Sequence, residues 1–205
     1  MRRQCAGRLG CRDTPGYGKS RRKRGNMEII QTMFDGVKLI RNFSAQDPRG
    51  SFVKIYNSLE YQKAGLRMEF RESYYSVSGK DTIRGMHFQT PPYDHGKLVH
   101  VLSGAVRDVV LDLRRSSDSY GKCMEIRLCG AEPYTLYIPS GFAHGFQSLE
   151  EQTVMMYYVT CGYAGEHDAG IRWNSIPYKW DVTHPVVSER DRSLPLLQEF
   201  ETPFL

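Results

Sequence analysis

The stretch KLVHVLSGAVRDVVLDL, residues 97–113, decides the fold class. Its two apolar runs, residues 97–102 and 105–113, have the length and the valine-rich composition of buried strands. The pair Ser103-Gly104 between them is a tight-turn signal. The region therefore predicts two successive β-strands.

Similar short runs flank this stretch, and turns that contain Gly, Pro or Ser separate them. They lie at residues 51–56, 125–128, 134–138 and 154–159. Short strands at this spacing are typical of a sandwich or a barrel. Helical periodicity is weak: residues 57–64 indicate one short helix, and residues 186–205 read as loop.

The length of 205 residues, with 40% hydrophobic and 25% charged residues, predicts one globular domain. No run of eighteen apolar residues is present, so we expect no membrane-spanning helix. Residues 1–26 carry nine Lys or Arg and one Asp, a net charge of +8, whereas the remainder carries −3. We therefore expect a basic, disordered N-terminal extension over 1–26 and a single domain over 27–205, with Met27 a candidate start. We favour a solvated extension over a nucleic-acid-binding one.

The cysteine pattern indicates a reducing compartment. Three of the five cysteines, Cys123, Cys129 and Cys161, fall in the body of the chain, and no CxxC motif is present. An odd number without such spacing matches neither a disulfide framework nor a zinc ribbon. We expect a cytoplasmic protein.

The first stretch with candidate chemistry is Arg84-Gly85-Met86-His87-Phe88-Gln89. Positions 84 and 87 fall on opposite faces of a regular strand, so a bulge or turn near Gly85 must reorient one of them. A strand imidazole beside an arginine is an acid–base candidate. A hydrogen-bonded core histidine is the alternative, and the residues leave both open.

The second stretch is Pro139-Ser140-Gly141-Phe142-Ala143-His144, whose P-x-G-x-x-H spacing resembles the second motif of cupin jelly rolls. The H-x-H of the first cupin motif is missing, because Phe88 and Gln89 follow His87. A three-histidine metal site of His87, His95 and His144 is the alternative, but we expect no metal. Tyr157 is either a packing residue or a phenol that can donate a proton to a substrate.

Taken in order, these motifs resemble the dTDP-4-dehydrorhamnose 3,5-epimerase family of nucleotide-sugar epimerases. The resemblance covers about residues 28–200. Besides the stretches above, it rests on the segments Asp47-Pro48-Arg49-Gly50-Ser51-Phe52, Lys97-Leu98-Val99, Asp112-Leu113-Arg114, Gly170-Ile171-Arg172-Trp173-Asn174 and Ser188-Glu189-Arg190-Asp191.

The resemblance implies an all-β, cupin-like double-stranded β-helix (jelly roll) with short peripheral helices. It also implies a homodimer and a reaction without metal or other cofactor. Such enzymes take a proton from the carbon beside the C4 ketone of a nucleotide-linked 4-keto-6-deoxy sugar. The enolate is then reprotonated from the opposite face, which inverts the carbon.

The resemblance also implies roles for individual residues. His87 matches the base, Asp191 its dyad partner and Tyr157 the proton donor on the other face. Lys97 matches the cation beside the C4 oxygen. His144 matches a second pocket histidine, and Arg49 and Arg84 match residues that bind the diphosphate.

Other recognition positions depart from the family pattern. Lys54 replaces a glutamate, Glu72-Ser73-Tyr74 replaces a Gln-x-Asn that contacts the nucleotide, Asp168 replaces a glutamate and Arg190 replaces a lysine. These changes concern substrate recognition rather than the chemistry. We hypothesise that Lys54 and Glu72 face each other as an ion pair.

The residues leave several functions open. The first is double epimerisation of dTDP-4-dehydro-6-deoxyglucose, and the second is single epimerisation of another nucleotide-linked keto-sugar. The remaining two are a metal-dependent cupin enzyme and a sugar-nucleotide-binding protein without turnover.

Overall fold

The computed structural model describes residues 27–66 and 68–205, so the expectation for residues 1–26 lies outside the described residues. The strands in chain order are β1 (Glu28–Gln31), β2 (Lys38–Arg41), β3 (Phe43–Asp47), β4 (Gly50–Lys54), β5 (Glu72–Ser78), β6 (Ile83–Gln89), β7 (Lys97–Ser103), β8 (Ala105–Asp112), β9 (Cys123–Cys129), β10 (Tyr134–Ile138), β11 (Phe142–Ser148), β12 (Thr153–Val159) and β13 (Asp168–Gly170). The helices are α1 (Ser58–Lys63) and α2 (Glu189–Ser193), with short 3-10 turns at Gly165–His167 and Leu197–Glu199. Within residues 27–66 and 68–205, no helix is long and apolar enough to cross a bilayer.

Except for β3 and β4, which pair as a separate hairpin, the strands form two antiparallel sheets with an apolar layer between them. One sheet has the order β1-β2-β10-β7-β12-β5, and the other has the order β13-β6-β11-β8-β9. Buried side chains from both sheets, including Val99, Val110 and Phe146, form the central cluster. This arrangement confirms the predicted all-β jelly roll.

The five-stranded sheet is buried on its outer face as well. Alternate residues of its strands, such as Met86, Val109 and Ala143, pack under the C-terminal segment, which contributes Trp180 and Phe204. Because both faces of the sheet are covered, every residue of β8 except Arg107 is buried.

The pair Ser103-Gly104 is not a hairpin turn. Strand β7 pairs with β10 and β12 in one sheet, whereas β8 pairs with β11 and β9 in the other. Gly104 has φ of +78°, and a Cβ atom there would overlap Thr153. Glycine therefore forms a corner at which the chain passes from one sheet to the other.

The expected irregularity near Gly85 is confirmed. The pairing of β6 with β11 changes register between His144 and Phe146. Gly85 has φ of +128°, and a Cβ atom there would lie 2.5 Å from the Cα atom of Gly145. This contact between two glycine backbones lets Arg84 and His87 line the same cavity.

The short helix predicted at 57–64 is confirmed as α1. The Asn57 side chain accepts hydrogen bonds from the backbone N–H groups of Leu59 and Glu60, which caps the helix. The loop predicted for 186–205 is wrong in part, because α2 and a 3-10 turn lie there. Ser188 caps α2 by accepting a bond from the N–H of Asp191, a Ser-x-x-Asp signal that precedes no long apolar run.

Candidate active site

A cavity of about 420 Å³ opens between the two sheets. It collects nine of the residues that the sequence predicts for the site: Glu72, Tyr74, Arg84, His87, Lys97, His144, Tyr157, Asp168 and Arg190. Asp191 lies behind His87 and is bonded to it. The predicted site residues therefore converge, apart from Arg49 and Lys54.

His87 on β6 and Asp191 on α2 form a dyad. The distance from His87 Nε2 to Asp191 Oδ1 is 2.6 Å, and the Gly85 N–H donates to Asp191 Oδ2 at 3.1 Å. Burial would raise the pKa of Asp191, but these bonds from His87 and Gly85 outweigh it and hold the pKa below its usual range. An ionised Asp191 can only accept a hydrogen bond, so the ring proton of His87 stays on Nε2 and points at the carboxylate. This leaves Nδ1 as the basic nitrogen.

The pKa of His87 lies below its ordinary value. Burial is the largest cause, and the hydrogen bond to Asp191 opposes it in part. His87 is therefore neutral near pH 7, the state in which an imidazole accepts a proton.

Lys97, at the start of β7, is 7% exposed and lines the cavity. Its Nζ donates a hydrogen bond to the backbone oxygen of His87 at 3.1 Å. Burial lowers the pKa of this ammonium to about 8. Lys97 is thus a fixed cation that still carries its charge at pH 7.

Tyr157 on β12 lies in the sheet opposite His87. Its side chain is 7% exposed, and burial raises the pKa of its phenol. A protonated phenol on one wall of the cavity therefore faces a basic imidazole on the other.

His144 pairs with an aspartate that the sequence analysis did not select. His144 Nε2 and Asp108 Oδ2 are 2.9 Å apart, and both side chains are buried. Burial raises the pKa of Asp108, and His144 opposes this rise. The sequence does carry a signal for Asp108, because it lies on the same strand face as the core residues Val106 and Val110 and interrupts their apolar run in β8.

Charged groups surround the rest of the cavity. Arg84 donates to the Ser78 hydroxyl and to the backbone oxygen of Val77. Arg190 and Asp168 form an ion pair at 2.8 Å. These guanidinium groups suit an anionic ligand.

Gln89 is a second residue that sequence reasoning missed. Its side-chain Nε2 donates to the Tyr93 backbone oxygen at 2.7 Å, and its Oε1 accepts from the Ala164 N–H at 2.8 Å. It therefore ties together the two loops that carry His95 and Tyr163 to the cavity wall. A glutamine that ends a buried strand was the available signal.

The structure does not bring Arg49 or Lys54 to the cavity of the same chain. Arg49 lies on the β3–β4 hairpin, where it is bonded to Asp47, and Lys54 lies over the ring of Phe43. The Glu72 carboxylate accepts a bond from the Tyr163 N–H. The hypothesis of a Lys54–Glu72 ion pair within one chain is therefore wrong, because the hairpin forms a separate two-stranded sheet.

The three-histidine metal site is not formed. His87, His95 and His144 line one cavity, but His87 and His144 each bind an aspartate through Nε2. Among the residues that the structure describes, no group of three or more His, Cys, Asp or Glu side chains is placed to hold a metal ion.

Comparisons with known proteins agree with this geometry. The family model described as dTDP-4-dehydrorhamnose 3,5-epimerase matches residues 31–199. A relative of that name from Sinorhizobium fredii is 38% identical over 189 residues, which cover 88% of this chain and 97% of the relative.

Two solved structures are also similar. The dTDP-4-dehydrorhamnose 3,5-epimerase of Bacillus anthracis, solved with TDP and PPi bound, superposes with a TM-score of 0.82 at 38% identity and covers 84% of this chain and 100% of its own. The dTDP-6-deoxy-D-glucose-3,5-epimerase of Legionella pneumophila, in complex with dTDP-4-keto-L-rhamnose, has a TM-score of 0.83 at 31% identity and covers 88% and 99%. With a family model that spans most of its length and relatives this similar, the chain belongs to the dTDP-4-dehydrorhamnose 3,5-epimerase family.

Proposed function

We propose that this protein inverts C3 and C5 of dTDP-4-dehydro-6-deoxyglucose and so forms dTDP-4-dehydrorhamnose. Membership of the epimerase family supports this reaction. The observation that carries it is the pair of opposed groups: on one side the dyad of His87 on β6 and Asp191 on α2, and on the other sheet the Tyr157 phenol. A sugar ring between the sheets meets a base on one face and an acid on the other.

In the first step, His87 Nδ1 removes the proton from a carbon beside the C4 ketone. Asp191 keeps His87 Nε2 protonated, and its charge stabilises the imidazolium that forms. The electron pair of the broken C–H bond moves to the C4 oxygen, giving an enolate. Lys97 stabilises this developing negative charge, and a fixed cation in a buried site is effective because water screens it little.

In the second step, Tyr157 donates its phenol proton to the same carbon from the opposite face. The carbon is inverted, and the C4 ketone reforms. Tyr157 then regains a proton from solvent, and His87 loses the one it took. The His144–Asp108 pair lies edge-on to Tyr157, with ring centroids 6.2 Å apart, and supplies polar contacts for the sugar.

The nucleotide binds at the mouth of the cavity in this proposal. Arg84 and Arg190 face the diphosphate, since guanidinium groups bind phosphate oxygens in a bidentate manner. Glu72, Tyr74 and Asp168 contact the base and the sugars. These are the positions that depart from the family pattern.

We also propose a homodimer in which the β3–β4 hairpin of a second copy brings Arg49 and Lys54 to this cavity. Within residues 27–66 and 68–205 the two strands of the hairpin pair only with each other, and Phe52 is 57% exposed. Mixing Arg49→Ala with His87→Asn subunits tests the arrangement. Mixed dimers should regain activity, because one cavity then holds both native residues. No recovery from subunits shown to exchange would contradict it.

The central experiment is proton NMR of dTDP-4-dehydro-6-deoxyglucose with the protein in D₂O. Loss of both the C3 and the C5 proton signals, with formation of the inverted product, is expected. A His87→Asn variant is the control and should show neither. Exchange at one carbon alone would assign a single epimerisation, and no exchange at either carbon would refute the proposal.

The compartment and the domain boundary are proposals as well. Cys123 and Cys161 are free thiols in the structure, which supports a reducing cytoplasm. We propose that residues 27–205 form one folding unit. Expression of that segment alone with full activity tests the boundary.

A further inference from the structure

Two tyrosines on neighbouring strands lie face to face in the cavity. Tyr74 on β5 is the cross-strand partner of Tyr157 on β12. Their ring centroids are 4.8 Å apart, and the ring planes differ by 19°. This is a stacked pair at the distance where aromatic rings attract each other.

The stack covers Tyr157 on the side of the sheet edge. Strand β5 is the last strand of its sheet, and Tyr74 is 43% exposed whereas Tyr157 is 7% exposed. The ring of His144 meets Tyr157 edge-on at 6.2 Å. The Tyr157 ring therefore has one aromatic ring stacked against it and a second ring inclined to it by 68°.

Both phenols are protonated near neutral pH. Burial raises the pKa of Tyr74 to about 12, and it also raises the pKa of Tyr157. Proton donation by Tyr157 therefore depends on the direction of its hydroxyl rather than on its ionisation state.

We infer that Tyr74 is a positioning residue that holds the Tyr157 phenol in the orientation from which it protonates the sugar opposite His87. The inference rests on the proposed function, because it assigns Tyr157 the role of acid. Tyr74 then not only contacts the substrate but also controls the second step, protonation by Tyr157.

The inference separates the two proton transfers. Tyr74 lies in the six-stranded sheet and has no hydrogen bond to His87 or Asp191, both of which belong to the opposite wall. Loss of the stack should leave proton removal by His87 intact and weaken protonation by Tyr157. The enolate then returns to substrate by taking a solvent-derived proton back from His87, without inversion.

The experiment compares product formation with deuterium uptake into recovered substrate in D₂O. Tyr74→Ser removes the ring and should lower the ratio of inversion to uptake by about three- to tenfold, the size expected for one aromatic pair. Tyr74→Phe keeps the stack and should therefore keep the native ratio of inversion to deuterium uptake. Tyr120→Ser is the matched control, because Tyr120 is 44% exposed and lies outside the cavity.

Each outcome decides the matter. If Tyr74→Ser raises KM and leaves the ratio unchanged, Tyr74 only contacts substrate and the inference is refuted. If Tyr74→Ser does not fold, Tyr74→Leu, which keeps an apolar cover without a flat ring, replaces it with the same expected fall. If the native protein shows neither uptake nor inversion, the proposed function fails, and the inference fails with it.

Discussion

Replacing Asp191 by asparagine removes the charge from the partner of His87 and keeps its size. The hydrogen bond is 2.6 Å long, and Asp191 is 3% exposed, so water screens the pair little. A hydrogen bond to a charged group contributes about 1.5–3 kcal/mol. If that stabilisation is realised as the imidazolium forms, kcat/KM should fall by about 10- to 100-fold.

The pH profile gives a second and more specific signature. In the native protein burial lowers the pKa of His87, and Asp191 opposes this fall. Without the charge, burial acts unopposed, so the pKa falls further. Because the base works in its neutral form, the acidic limb of kcat/KM should move to lower pH while the plateau drops.

The assay is the initial rate of epimerisation between pH 5 and 8, measured for native protein and for Asp191→Asn. Asp181→Asn is the matched control, since Asp181 forms an ion pair with Arg107 at the surface and is 74% exposed. That control should keep both the plateau value of kcat/KM and the position of its acidic limb. An acidic limb that stays in place, or that moves to higher pH in Asp191→Asn, would refute the proposed electrostatic role of the dyad.

Three further predictions follow from the buried groups. Native activity should decline as the pH rises through about 8, because Lys97 then loses its charge; Lys97→Gln should be slower by roughly 100-fold or more and should lack this decline in a rate–pH profile. Burial lowers the pKa of His95 to about 4, so as the pH falls the imidazole is protonated in the unfolded chain before it is protonated in the folded one. The folded state therefore loses stability between about pH 6.5 and 4, and His95→Gln should make this loss smaller in thermal melts. Gly85→Ala places a Cβ atom against backbone at positive φ and should destabilise by more than about 2 kcal/mol in urea titration, whereas Gly121→Ala, which meets no neighbouring atom, should cost less.

The strands could be predicted because burial imposes local patterns. The apolar residues within 134–138 and within 154–159 are enough to identify each strand on its own, and the turns between strands carry Gly or Pro. The corner at Gly104 could not be predicted in this way. A tight-turn signal states that the chain changes direction, whereas the choice between a hairpin and a corner depends on partners such as β10 and β11, which are distant in sequence.

The candidate site was predictable where residue type and resemblance agree, as for His87 and Tyr157, both of which line the cavity. Resemblance does not tell from which chain a side chain reaches a site, and so Arg49 and Lys54 were expected in a cavity that they do not reach within one chain. Asp108 was missed for a different reason. Its position in phase with Val106 and Val110 marked it as a buried polar residue, but its partner His144 lies on β11 and is identified only by the pairing of the two strands.

The placement of His87 and Tyr157 on different sheets has an evolutionary consequence. In the proposed mechanism, substitutions around Tyr74 and Tyr157 alter how the enolate is protonated without disturbing how it is formed. In the same mechanism, substitutions around His87, Asp191 and Lys97 act on enolate formation. A lineage that diverges towards another stereochemical outcome can therefore accumulate changes around Tyr74 and Tyr157 alone, while His87, Asp191 and Lys97 keep the chemistry that both outcomes share.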